Sequence, residues 1–137
     1  MKVAVPEHQG RIAPVFDTCR CLLMFLQTAH GDELVSREDW SGVDRHIRPA
    51  RLKDLRVNAL LCGGISCRME DLIVAQGIKL VPWRAGEVAD VLAALREGRI
   101  DHPLYLMPGR GFCRRRLRRG RESGRGMGML LNVQKGE

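Results

Sequence analysis

Aromatic residues are scarce: three Phe, two Trp and one Tyr make up 4% of the 137 residues. Binding single-stranded nucleic acid by stacking takes several such rings on one surface, and the C-terminal stretch offers only Phe112. Long apolar runs are missing too. The longest, such as Cys21 to Leu26, fall far short of the roughly 20 residues that cross a bilayer. Met1 to Glu7 lacks the apolar core of a secretory signal. These absences predict a cytoplasmic chain with no membrane partner. In that reducing setting its five cysteines serve as free thiols, packing groups or metal ligands rather than as a disulfide framework. Enzyme signatures are also lacking: there is no Gly-x-Ser-x-Gly elbow, no Walker loop and no Gly-x-Gly-x-x-Gly after a strand. Glu7 and Asp17 fall near the expected ligand edge, but no set of inward carboxylates follows to hold divalent metal for hydrolysis. A non-enzyme is expected.

What is present is unevenly placed. The net charge of +7 resides entirely in residues 110–137, where nine Lys/Arg face two Asp/Glu; residues 1–109 carry 14 of each sign. The basic balance therefore describes a tail and not the body. That tail, with Arg114, Arg115, Arg116, Arg118, Arg119 and Arg121, reads as a mobile, solvated extension. An acidic protein client ranks second as its role and nucleic acid third, since arginines at this density neutralise phosphates in a salt-sensitive way. Cys113 within it is an exposed thiol with no assigned role.

Apolar content of 45% supports one packed domain over residues 1–109. Val3-Ala4-Val5 reads as a strand closed by Pro6, Leu22 to Thr28 as a second, and Glu33 to Ser36 as its return after the Gly31-Asp32 turn. A polar segment, Arg37 to Arg48, precedes Pro49, which suits a first helical turn, and a short helix over Ala50 to Leu55. Val57 to Leu61 is continuous in apolar character and reads as a central strand. Met69, Leu72 and Ile73 recur at helical spacing with Gly77 as stop; Ile78 to Val81 is a strand; Val88, Val91, Leu92 and Leu95 form a second stripe ended by Gly98. Alternating strand and helix implies α/β, with a mixed sheet of about five strands flanked by helices and at least one right-handed crossover. Exposed edges in so small a sheet make a dimer conceivable.

The most informative stretch is Leu60-Leu61-Cys62-Gly63-Gly64-Ile65-Ser66-Cys67, where a strand turns into a helix at the edge on which open sheets bind ligands. Gly63 and Gly64 let backbone approach a ligand, and Ser66 and the following amides can donate to an anion. Cys67 at a helix start has its thiolate favoured, and Cys62 is a second candidate ligand. Cys19 and Cys21, two apart, are further candidates if they lie beside this turn; four converging sulfurs would make a soft-metal site. His8, just after the first strand, is a candidate at the same edge. The expected guest is an anionic metal–sulfur cluster. The plain alternatives stand beside it: Cys62 as a small core hydrophobe, the glycines as mere turn formers, Cys67 as a redox-sensing thiol.

Met1-Lys2-Val3-Ala4-Val5-Pro6, Ala13-Pro14-Val15-Phe16-Asp17, Val57 through Ile65, Gly77-Ile78-Lys79 and Glu87 to Gly98 occur in an order that resembles the dinitrogenase iron–molybdenum cofactor biosynthesis family. The resemblance covers roughly residues 2–109. It implies a ribonuclease-H-like, three-layer fold and non-catalytic binding, carriage or delivery of a Mo/Fe–S or related cluster. Some relatives carry an Arg/Gly/Met-rich tail after a Met-Pro-Gly step, similar to Met107-Pro108-Gly109 here. The cluster-binding histidine of the cofactor carriers has no match among His8, His30, His46 and His102.

Overall fold

The computed structural model describes residues 1–107; the tail expected over 110–137, Cys113 included, lies outside the described residues. Six strands form one mixed sheet: β1 (Lys2–His8), β2 (Arg11–Ile12), β3 (Cys21–Thr28), β4 (Gly31–Asp39), β5 (Ala59–Leu61) and β6 (Lys79–Val81). The order is β4-β3-β1-β5-β6, with β2 paired to the end of β1. β1, β5 and β6 run parallel, whereas β3 is antiparallel to both its neighbours. Three helices complete the domain: α1 (Arg48–Asp54), α2 (Cys67–Ala75) and α3 (Val88–Arg96). None of the described helices is long and apolar enough to cross a membrane.

Alternation along the strands sends apolar side chains to both faces, so helices are needed on both. Ala4, Leu22, Met24, Leu60 and Cys62 pack with Leu52 of α1 and with Met69 and Ile73 of α2. Val3, Val5, Leu23, Ala59 and Leu61 pack with Val88, Val91 and Leu92 of α3. Each fully buried Val, Leu, Ile or Met side chain among them contributes about 1.5–3 kcal/mol relative to exposure. Helix ends follow the expected punctuation. Pro49 sits in the first turn of α1, Ser66 caps α2 by accepting the Met69 N–H, and Gly77 takes a φ of +82° just past α2.

Two strands differ from their sequence reading. β1 continues through Pro6 to His8, because its ladder to β5 registers only Val3 and Ala4, and Pro6 stands beyond that ladder. β4 extends through Arg37, Glu38 and Asp39, and its charges suit a strand at the sheet's edge. Met24 pairs with Ser36 but Phe25 with Leu34, which leaves Val35 as the extra residue of a bulge.

Two charged side chains are buried among the described residues, Arg48 and Glu70, and the first ties the core together. Arg48, 4% exposed, donates to the carbonyls of Phe16 (2.9 Å), Trp40 (3.1 Å) and Val43 (3.1 and 3.2 Å) and to Cys19 Sγ (3.2 Å). Its guanidinium also lies 5.9 Å from the Phe16 ring centroid and 5.3 Å from that of Trp40. Carbonyl dipoles and ring faces thus offset the desolvation of its charge, and three loops are tied to the start of α1. Arg48→Ala should lower the free energy of unfolding by about 3 kcal/mol or more, because buried carbonyls lose their donors. Arg45→Ala, at an exposed position one turn earlier, should change it by less than about 0.5 kcal/mol. Urea titration followed by circular dichroism reads the difference.

Candidate functional site

The carboxyl ends of β1, β5 and β6 meet in three interlocked loops. Segment 13–16 lies along the turn after β5: Gly64 N–H donates to Pro14 O at 2.7 Å, and Phe16 N–H donates to Gly64 O at 2.8 Å. From the other side Trp83 N–H donates to Gly63 O at 2.8 Å. The approach leaves no room for side chains on the turn. A Cβ on Gly63 would stand 2.7 Å from Ala13 O, and one on Gly64 would stand 3.1 Å from Pro14 O and 3.3 Å from the Trp83 ring. The two glycines therefore serve close packing of loop on loop, and the Gly64 amide is taken.

Ser66 is engaged as well. Its N–H and hydroxyl donate to the two Asp17 carboxylate oxygens, at 3.0 and 2.7 Å. Cys62 continues the alternation of β5 onto the face that holds Leu60, and it is fully buried. Burial pushes its thiol well above the usual range, with the charge of buried Glu70 adding to the shift. Cys19 is 4% exposed, and burial pushes its thiol up to about 11 although Arg48 lies beside it. Cys21, half-buried, accepts from Arg37 at 3.4 Å; burial, then its hydrogen bond to Glu7, raises its pKa.

The condition set for a four-sulfur site, that Cys19 and Cys21 converge with Cys62 and Cys67, is not met. Among the described residues no three His, Cys, Asp or Glu side chains come together in a set that could hold a metal ion. Cys62 and Cys19 are core groups, sealed by the packing of the β5 turn and of Arg48. A cradle inside the turn is likewise closed, because Gly64 and Ser66 donate to protein acceptors. Cys67 opens α2 and is half-buried, and His8 is exposed at the end of β1, before the Gln9-Gly10 turn.

What the structure brings together instead is a cationic shelf. Beside the start of α2, a recess of about 230 Å³ is lined by Asp17, Arg45, His46, Ser66 and Arg68 over an apolar base of Met69 and Leu72. Arg45 and His46 are placed by a single 3-10 turn, Arg45–Ile47, whose start Asp44 caps by accepting the His46 N–H at 2.8 Å. Arg68 comes from the first turn of α2. All three side chains belong to exposed residues, and among the described residues neither Arg45 nor Arg68 is held in an ion pair. Such a recess can hold a compact, multiply charged anion. Sequence reading passed over these residues, since they lie in two separated segments; the one local signal was Arg68 directly after Ser66-Cys67. It also missed Trp83, whose φ of +62° is uncommon for a bulky side chain and which covers Gly64.

The family model for the dinitrogenase iron–molybdenum cofactor matches residues 1–98. A crystal structure of the protein PH0822 is similar with a TM-score of 0.68 and 22% identity, covering 75% of this chain and 96% of that one. A crystal structure of a candidate dinitrogenase from Methanocaldococcus jannaschii gives 0.57 and 20%, over 72% and 90% of the two chains. An NMR structure of a candidate NifB protein from Thermotoga gives 0.52 and 19%, over 72% and 89%. At these identities the likeness is one of fold. No curated protein matches the chain.

The burial of the two core thiols has a measurable consequence. At pH 8, iodoacetamide should label Cys67 in the native chain and leave Cys62 and Cys19 unmodified, as read by peptide mass spectrometry. Both core thiols stay protonated in the folded chain above pH 9.0, where they ionise once unfolded. Stability from this source is complete below about pH 9 and declines as pH rises toward about 11. Urea midpoints across that range should fall for the native sequence and fall less for a Cys19→Ala variant.

Proposed function

The chain belongs to the dinitrogenase iron–molybdenum cofactor family, and from that membership we propose that it binds an anionic metal–sulfur cluster and hands it on without catalysing a reaction. The observation that carries this reading is the shelf formed by Arg45, His46 and Arg68 at the start of α2. A metal–sulfur cluster is bulky and negative, so it needs positive side chains around it more than a deep cavity. With the amides of Gly64 and Ser66 already engaged, the cargo is held outside the β5 turn and against the shelf. Cys67, on the first turn of α2, is, among the described cysteines, the one on this side of the sheet that is not sealed in the core, and it supplies one thiolate at most. An open seat with few strong ligands suits a carrier, which has to release what it holds.

The strand order, with β3 antiparallel beside a parallel β1-β5-β6 set, supports placing the domain in the ribonuclease-H-like class. On this reading the cluster is the first partner, of the molybdenum and iron–sulfur kind. An acidic client protein is the second, met by the arginines of 110–137. The work takes place in the cytoplasm.

Anaerobic incubation of the full chain with iron, sulfide and molybdate, followed by gel filtration, visible absorption and metal analysis, tests the proposal. The native sequence should retain metal and colour. The double substitution Arg45→Ala, Arg68→Ala should reduce retained metal about tenfold, Cys67→Ser should alter the absorption spectrum, and Cys62→Ala should leave both unchanged. A native chain that emerges colourless and metal-free, or a double variant that loads as fully as the native chain, overturns it.

A further inference from the structure

On the opposite face of the sheet, α3 leaves part of β3 and β4 uncovered. A groove of about 410 Å³ results, within the size range of small-molecule sites. Leu23 and Phe25 form its floor, and Val88 and Leu92 of α3 form its wall. Its polar groups lie at the two ends. Glu7 and Arg37 stand at one, with Cys21 next to them, and Asp32 stands at the other.

The hydrogen-bond ledger of those ends decides what chemistry fits. Acceptors are already served. Glu7 Oε2 takes the Gly10 N–H at 2.7 Å, and that bond first, then the Cys21 thiol and Arg37, hold the carboxyl below its usual range, so it stays charged. Asp32 Oδ1 takes Gln27 Nε2 at 2.8 Å, and Oδ2 takes Arg96. Donors are not served. Arg37 uses Nη1 alone, in two long contacts of 3.4 Å to Glu7 Oε1 and Cys21 Sγ, and its side chain is 59% exposed. The rest of its guanidinium fork remains open to an acceptor. Glu7 keeps its Gly10 and Cys21 bonds when Arg37 swings away, so this exchange leaves no buried charge without a partner.

We propose that the groove between α3 and β4 is a binding site for a small organic acid with an apolar body, its carboxylate paired with Arg37 and its body lying on Leu23 and Phe25. The site is separate from the cationic shelf. The shelf lies beside α2, on the Leu60 face of the sheet, and presents two guanidiniums and an imidazole to a compact anion. The groove presents one guanidinium with open donors above an apolar floor, while the Glu7 and Asp32 carboxylates at its ends are engaged within the protein, so it selects for a hydrocarbon or aromatic body joined to a single negative charge.

The test uses the full chain and the fluorescent sulfonate 8-anilinonaphthalene-1-sulfonate, which combines an apolar body with one negative charge. Octanoate, octanol and octylammonium then compete for it. Octanoate should displace the probe at concentrations at least about tenfold below those needed by octanol, and octylammonium should be the weakest. Arg37→Gln should remove the advantage of octanoate over octanol and leave the thermal midpoint unchanged. Leu23→Ser should weaken octanoate and octanol alike; as Leu23 is nearly buried, Ala89→Trp, which fills the groove from an exposed helix position, serves as the second steric variant. The proposal is overturned if the probe does not bind, if octylammonium competes as well as octanoate, or if Arg37→Gln leaves the ranking intact. Because no metal or sulfide enters this measurement, its failure says nothing about cluster carriage, and failed cluster loading leaves it standing.

Discussion

The structure depends on one close approach: backbone 13–16 laid against the β5–α2 turn with no side chain between them. Gly64 donates across that contact and accepts from Phe16, while Gly63 accepts from Trp83 on its far side. Three loops become one layer through three backbone bonds, each worth about 1 kcal/mol net. Their greater effect is geometric. Asp17 follows Phe16 and is brought to Ser66, which fixes the start of α2 and with it the position of Arg68. The glycines of this turn are what lets protein meet protein.

Arg48 extends this order to the other side of the shelf. By gripping the carbonyls of Phe16, Trp40 and Val43, it ties the strap from 13 to 16 to the segment that carries Arg45 and His46. A charge buried among carbonyls and rings holds its position, because any displacement leaves several polar groups without partners. The exposed cations of the shelf therefore stand on a stiff base, although none of them is itself buried. Cys19, drawn into the same network as an acceptor, is a structural thiol for that reason.

Much of this was legible in the residues. Val3-Ala4-Val5, Leu22-Leu23-Met24 and Ala59 through Cys62 are apolar at every position, as strands covered on both faces must be. Pro49, Ser66, Gly77 and Gly98 mark helix ends where they fall. The same alternation shows that Cys62 shares a face with Leu60, so its burial could have been read from register alone. Other features carry no local trace. β4 runs through charged residues because water bathes the sheet's rim there, and a solvated strand has the composition of a loop. Arg48 sits among arginines of similar appearance, and only the tertiary fold distinguishes the buried one. Arg45 and Arg68 become neighbours through contacts more than twenty residues apart, which no window along the chain contains.

The bulge at Val35 bears on how the protein behaves when crowded. A row of unpaired amides and carbonyls along an outermost strand invites further chains to stack, and a long regular row is the start of a fibril. Here the row is broken in its middle by an unmatched residue, with Glu33 and Arg37 on either side of the break. An incoming strand cannot keep step past that point without leaving a gap or meeting charge. The break and its flanking charges thus blunt an edge that carries the exposed side chains of Leu34 and Val35.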